Sequence, residues 1–193
     1  MPSKEEALLA ERRQALEEEF FRRREQALLE KMRQAQQREQ QRAALAEASG
    51  IKDPELLDRL IDLGIQPRTL APLALVPLVE VAWADGSIAR QEREAIVQAA
   101  HSLGLEKGSA GFALLESWLD ERPDPALRRL WQEYVRALCA GLAESERRRL
   151  RENVLGRARA VAEAAGGFLG LGRKVSEAEE QVLRELDSAF AGC

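Results

Sequence analysis

Apolar residues recur along this chain at helical rather than alternating intervals, and the breaks between runs fall at glycine, proline and Asp-Pro pairs. In the first fifty positions the run is Leu9, Leu16, Phe20, Leu28 and Met32, continued by Ala35, with spacings of 7, 4, 8, 4 and 3 residues. Such a stripe keeps to one side of a helix without a strict heptad. Ser3 followed by Glu6 reads as a capping box, and after Pro2 no proline or glycine interrupts the pattern before Gly50. The pattern predicts a single helix from residue 3 to about 48, roughly 70 Å long at ~1.5 Å per residue. A small domain cannot cover that length. The helix must project, pair with another chain, or pack partly back.

From residue 51 the texture changes to shorter helices with clear punctuation. Asp53-Pro54 opens one that runs through Leu63 and stops at Gly64; a proline-containing stretch (Pro67, Pro72, Pro77) then leads into an apolar helix, Leu75–Ala84. Further helices are predicted from Ala89 to Leu103, from Ser109, from Asp124-Pro125, from Ser145, and from Ser176, where Glu179 completes a second capping box. Their buried faces are expected to hold Ile96, Val97, Ala100 and Leu103, then Phe112, Leu115, Trp118 and Leu119, then Leu127, Leu130, Trp131, Tyr134, Leu138 and Cys139. Leu150, Val154, Ala158 and Val161 follow, and Val182, Leu183, Leu186 and Phe190 close the set. No segment alternates with β-branched and aromatic residues as a strand would. The fold expected is all-α: residues 1–50 a long charged arm, and residues 51–193 a bundle of six to seven helices.

Composition sharpens this picture. Hydrophobic residues make up 45% of the 193 positions, enough for a core, while charged residues reach 32%, which suits long solvated helices. A net charge of −4 does not suit a protein that coats phosphate backbones. No stretch is long and apolar enough to span a bilayer, and the N-terminus has no apolar core of the signal-peptide kind. Two cysteines, Cys139 and Cys193, make no disulfide framework, so a reduced, cytoplasmic setting is expected.

Two segments match each other. Val79-Glu80-Val81-Ala82-Trp83-Ala84-Asp85-Gly86-Ser87-Ile88 leads into a helix with Glu92; Arg159-Ala160-Val161-Ala162-Glu163-Ala164-Ala165-Gly166 leads, after a glycine-rich insertion, to Lys174-Val175 and a helix with Glu179. Each is a helix, a glycine turn, an aliphatic residue, and a glutamate four residues later. Two hairpins of like design can bury against each other the stripe neither buries alone. The run Ala84-Asp85-Gly86-Ser87-Ile88 through Glu92 resembles the A-D-G-x-I-x-x-x-E signature of the TerB-like (tellurite-resistance-type) family, and the segment from Ala164 to Glu179 is similar to that family's second-half turn. The resemblance covers roughly residues 55–190 and leaves the arm outside. It implies a compact helical bundle linked to stress responses, with an acidic surface for a divalent cation. By position only Asp85 and Glu92 carry over from the first motif and Glu179 from the second. Ala165 stands where Asp85 does in the other half.

The candidate chemistry is sparse. Asp85 and Glu92 are the candidate metal ligands, with Glu80 or Glu94 as further oxygens; the competing reading is that Asp85 caps the following helix, Gly86 takes the left-handed turn and Ile88 staples the hairpin. Val81 and Trp83 fall where a calcium loop needs oxygen ligands, which excludes an EF-hand. The Gly167–Lys174 loop misses the phosphate-binding pattern, since no Ser or Thr follows the lysine and a helix precedes it. That loop presents Phe168 and Leu171, to the core or to a partner. His101 is the lone histidine, which leaves zinc ligation and a Ser-His-Asp arrangement without parts. Arg147, Arg148, Arg149, Arg151, Arg157 and Arg159 make a basic helix offset by Glu144, Glu146 and Glu152, read as a solvated face rather than a nucleic-acid surface. The expectation is a non-enzymatic interaction or scaffold module without a cofactor. Its arm, through Leu9, Leu16, Phe20, Leu28 and Met32, would serve self-association or a protein partner. The alternative is a divalent-metal-binding stress protein.

Overall fold

The structure, a computed structural model, describes the backbone of residues 4–165 and 175–191, and the side chains of residues 18–164 and 175–191. Ser3, Phe168 and Leu171 lie outside the described residues, as do the side chains of Leu9 and Leu16. The described elements are all helical: α1 (Lys4–Ser49), α2 (Pro54–Asp62), two short 3-10 turns (Pro67–Thr69 and Ala71–Leu75), α3 (Val76–Ala82), α4 (Arg90–Ser102), α5 (Ala110–Asp120), α6 (Pro125–Cys139), α7 (Glu144–Ala165) and α8 (Glu177–Ser188). The expected long helix and the seven that follow are present, and no strand occurs among the described residues.

The chain divides into two units, Met1–Ala43 and Ala44–Cys193. The first is the unbroken part of α1, rich in strong helix formers and free of Gly and Pro. The second begins inside the last turns of α1, where Leu45 is fully buried. There the helix stops because Gly50 turns left-handed (φ +72°), its N–H donating to the Ala46 carbonyl at 2.8 Å.

The local signals act as their chemistry requires. Asp53 Oδ1 accepts from the N–H groups of Glu55 and Leu56 at 2.9 and 3.3 Å, and Ser109 Oγ from Phe112 N–H at 3.1 Å. Asp124 does the same for Ala126 at 2.7 Å, with Pro125 filling the first helical position where no N–H is needed. The three prolines of the 67–77 stretch hold it in tight turns and let a regular helix start only at Val76.

Helix α3 is buried on every side, from Val76 to Ala82, and forms the centre of the second unit. Around it pack α4, α6, α7 and α8; α7 also covers α4 and α8, and α2 lies on α6. The two sequence-matched hairpin segments, α3–α4 and α7–α8, therefore pack on one another. Trp83, at the end of α3, ties the first of them to α5 by donating Nε1–H to the Trp118 carbonyl at 2.8 Å. The faces expected to be buried are so at Ile96, Ala100, Phe112, Leu115, Trp131, Ala158, Val161 and Leu186; Val97, Tyr134, Leu138, Leu150 and Val154 are only half-buried, and Leu103, at the end of α4, is exposed. One expectation is overturned. Cys139 is fully buried and disulfide-bonded rather than a reduced thiol; the chain's other cysteine, Cys193, lies outside the described residues.

Candidate functional site

Two places carry chemistry or exposed apolar surface, one in each unit. In the second unit, Glu92 and Glu179 occupy the same third position of α4 and of α8. Each carboxylate folds back onto the start of its own helix: Glu92 Oε2 accepts from Ala89 N–H at 2.7 Å, and Glu179 Oε2 from Ser176 N–H at 2.5 Å. Both side chains are buried, 4% and 7% exposed, and lie close enough for the Glu179 carboxyl to act on Glu92. Burial pushes the Glu92 carboxyl up to about 7; the Ala89 N–H opposes this, while the charges of Glu179 and Asp85 add to it.

Asp85 sits at the exposed turn before α4, close enough for its charge to act on Glu92. It does not cap the helix. Its Oδ1 accepts from Ser87 N–H at 3.2 Å, closing the turn that Gly86 makes at φ +96°, and Ala89 is the capping residue. Of the other carboxylates considered, Glu94 pairs with Arg90 at 2.8 Å, and buried Glu80 is held by Arg128, whose Nε lies 2.7 Å away. Arg128 also reaches Glu185 at 2.6 Å, so one guanidinium joins α3, α6 and α8. The structure brings Glu179 to Glu92 and leaves Glu80 and Glu94 elsewhere. Among the described residues no group of three or more His, Cys, Asp or Glu is arranged to hold a metal ion.

Two arginines of the basic helix α7 pair with α8, and a third pairs within α7 itself. Arg151 binds Asp187 through two nitrogens at 2.6 and 2.8 Å, Arg159 meets Glu180 at 3.0 Å, and Arg148 approaches Glu144 at 3.6 Å. His101 ends α4 as expected: its Nδ1 lies 3.2 Å from the Leu105 carbonyl and its ring stacks on Phe112 at 5.6 Å.

No family model, no curated protein and no solved structure matches this chain.

In the first unit, α1 exposes a run of large apolar side chains: Phe20 59%, Phe21 64%, Leu28 59%, Leu29 48% and Met32 61%. Phe20 and Phe21 touch edge to face, their ring centroids 5.9 Å apart. At ~100° per residue, Phe21, Leu28 and Met32 share an arc of about 40°, with Phe20 and Leu29 on its two flanks. The sequence spacing does not pick out Phe21 and Leu29, because a stripe counted through Phe20 and Leu28 skips the neighbour of each. Each directly follows a stripe member, so doublets at 20–21 and 28–29 were the signal that could have found them. No helix among the described residues is long and apolar enough to cross a membrane.

Proposed function

We propose that this chain is a non-enzymatic, TerB-like interaction module, linked to stress responses by resemblance, whose helical arm docks protein. The observation that supports the reading most is the apolar band on α1: five large side chains about half or more exposed on a helix rich in charged and polar residues. Contiguous exposed apolar surface is costly in water and marks contact sites. The second unit fits a supporting role, since its buried carboxylates serve helix starts and its arginines serve helix-to-helix ties. A full-chain variant carrying Phe21→Glu, Leu28→Glu and Met32→Glu tests the proposal. Light scattering and a side-by-side pull-down are expected to show that it loses the self-association or protein capture of the parent while circular dichroism stays the same. A variant that associates and captures as the parent does would count against it.

The second reading, a divalent-cation site at Asp85 and Glu92, is favoured by one observation: Glu179 converges on Glu92. Two carboxylates whose charges repel could be relieved by a cation as well as by a proton. Each already accepts a backbone N–H, which leaves few free oxygens for a hard ion. Isothermal titration with calcium, magnesium, zinc and manganese decides it. Heat that saturates in the parent and vanishes in Asp85→Ala supports the site; binding unchanged in the variant removes it.

A further inference from the structure

Residues 17–24 read Glu-Glu-Glu-Phe-Phe-Arg-Arg-Arg. The octad is a charge palindrome: read backwards, every acid becomes a base. It lies in the middle of a helix without a break, and its two phenylalanines are among the most exposed large side chains of the chain. We propose that two copies of this chain pair antiparallel through α1, crossing at Phe20 and Phe21, with the Glu17–Glu19 triplet of each copy set against the Arg22–Arg24 triplet of the other.

Three features argue for a second copy rather than another occupant. The first is sign complementarity. Turning the partner end for end brings Glu19 level with Arg22, Glu18 with Arg23 and Glu17 with Arg24, and the twofold repeats each pairing. A uniform triplet spans about 200° of the helix circumference, so the signs match whichever face meets the partner. A parallel, in-register pair would instead lay acid on acid and base on base. The second feature is the apolar centre. The same register stacks Phe20 and Phe21 on their counterparts, sets Leu9 level with Met32, and brings Leu28 and Leu29 level with positions 13 and 12. The third is length. Lys4 falls level with Gln37, giving about 50 Å of shared helix, long enough for a stable pair where isolated helices are marginal. Within one copy Arg23 already pairs with Glu19. That contact is solvated and weak, and it leaves the rings uncovered.

The pairing rests on the proposed role of the arm as the contact surface. Sedimentation equilibrium of the full chain is expected to show a dimer. Two reversal variants, E17R/E18R/E19R and R22E/R23E/R24E, keep strong helix formers at every changed position but make the octad all basic or all acidic. Each alone is expected to dimerise at least about tenfold more weakly, and an equimolar mixture to recover a heterodimer of near-parental affinity. Orientation is read by amine cross-linking of mixed isotope-labelled chains: Lys4-to-Lys31 links between copies are expected, whereas Lys31 residues of an antiparallel pair stand about 30 Å apart. A monomeric parent, or Lys31-to-Lys31 links, overturns the antiparallel pair but leaves the arm free to dock another protein. A dimer untouched by both reversals overturns the pair; if that dimer also survives Phe21→Glu, Leu28→Glu and Met32→Glu, the arm is removed as the contact as well.

Discussion

Glu92 shows how a single carboxyl can be a structural part and a titrating group together. Its charged form caps α4, while burial and two neighbouring acids disfavour that charge. Because its carboxyl sits at about 7 in the fold against 4.5 for the free group, the folded state binds more protons than the unfolded chain between those values. Stability from this residue is therefore complete below pH about 4.5 and is lost as pH rises through about 7. The effect is on the order of 1 kcal/mol once water around the exposed turn is allowed for. Glu92→Gln keeps an oxygen for the Ala89 N–H and supplies an amide for Glu179 without a charge. Urea unfolding followed across this pH range is expected to show a flatter profile for the variant, and higher stability than the parent on the alkaline side. An unchanged slope would mean that Glu92 is not the titrating group. None of this was legible in the sequence beyond the positions themselves. Spacing placed a glutamate at the third position of each helix, but only packing could set one against the other.

At the scale of elements, the two hairpin segments differ in one atom that matters. Ser176 completes its capping box, its Oγ accepting from Glu179 N–H at 3.2 Å, while the equivalent residue before α4 is Ala89, which has no oxygen to offer. Backbone geometry is nearly the same at both: φ −69°, ψ 154° at Ala89 and φ −72°, ψ 164° at Ser176. A serine fits the first without strain. Ala89→Ser is thus expected to satisfy the Glu92 N–H and to raise stability by about 1 kcal/mol, seen as a higher urea midpoint with unchanged slope. A midpoint that stays put would show that water already serves that donor. Most helix boundaries were legible because such local signals set them: Asp53, Ser109, Asp124 and Ser176 cap where the sequence said they would. An acid before a helix reads as a cap, but Asp85 lies four positions ahead of Ala89, the residue that stands at the cap. The 67–77 stretch was legible only as a region of prolines, since 3-10 turns leave no periodicity to read.

For the whole molecule, the decisive feature is that α1 belongs to two units at once. The arm as far as Ala43 is set apart from the rest, yet the turns from Ala44 to Ser49 lie within the second unit. Sequence punctuation put the break at Gly50, the first residue able to end the helix, because the pattern shows where a helix stops and not where it begins to be covered. Leu45 lies on the covered side, fully buried, and Ser49 secures the exit by donating Oγ–H to the Leu45 carbonyl at 2.7 Å and accepting from Ile51 N–H at 3.2 Å. Two truncations separate the alternatives. A chain starting at Ala44 keeps Leu45 and this exit; one starting at Ile51 removes both and opens a cavity where the leucine packed. Loss of a fully buried leucine costs about 2–5 kcal/mol, a large fraction of the margin of an ordinary domain. The longer fragment is expected to unfold cooperatively, and the shorter one at a clearly lower urea midpoint or without a sharp transition. A third fragment, starting at Ala44 with Leu45→Ala, isolates the side chain from the extra turns: if the leucine carries the effect, it behaves like the shorter fragment. Equal midpoints for all three would place the boundary at Gly50 after all.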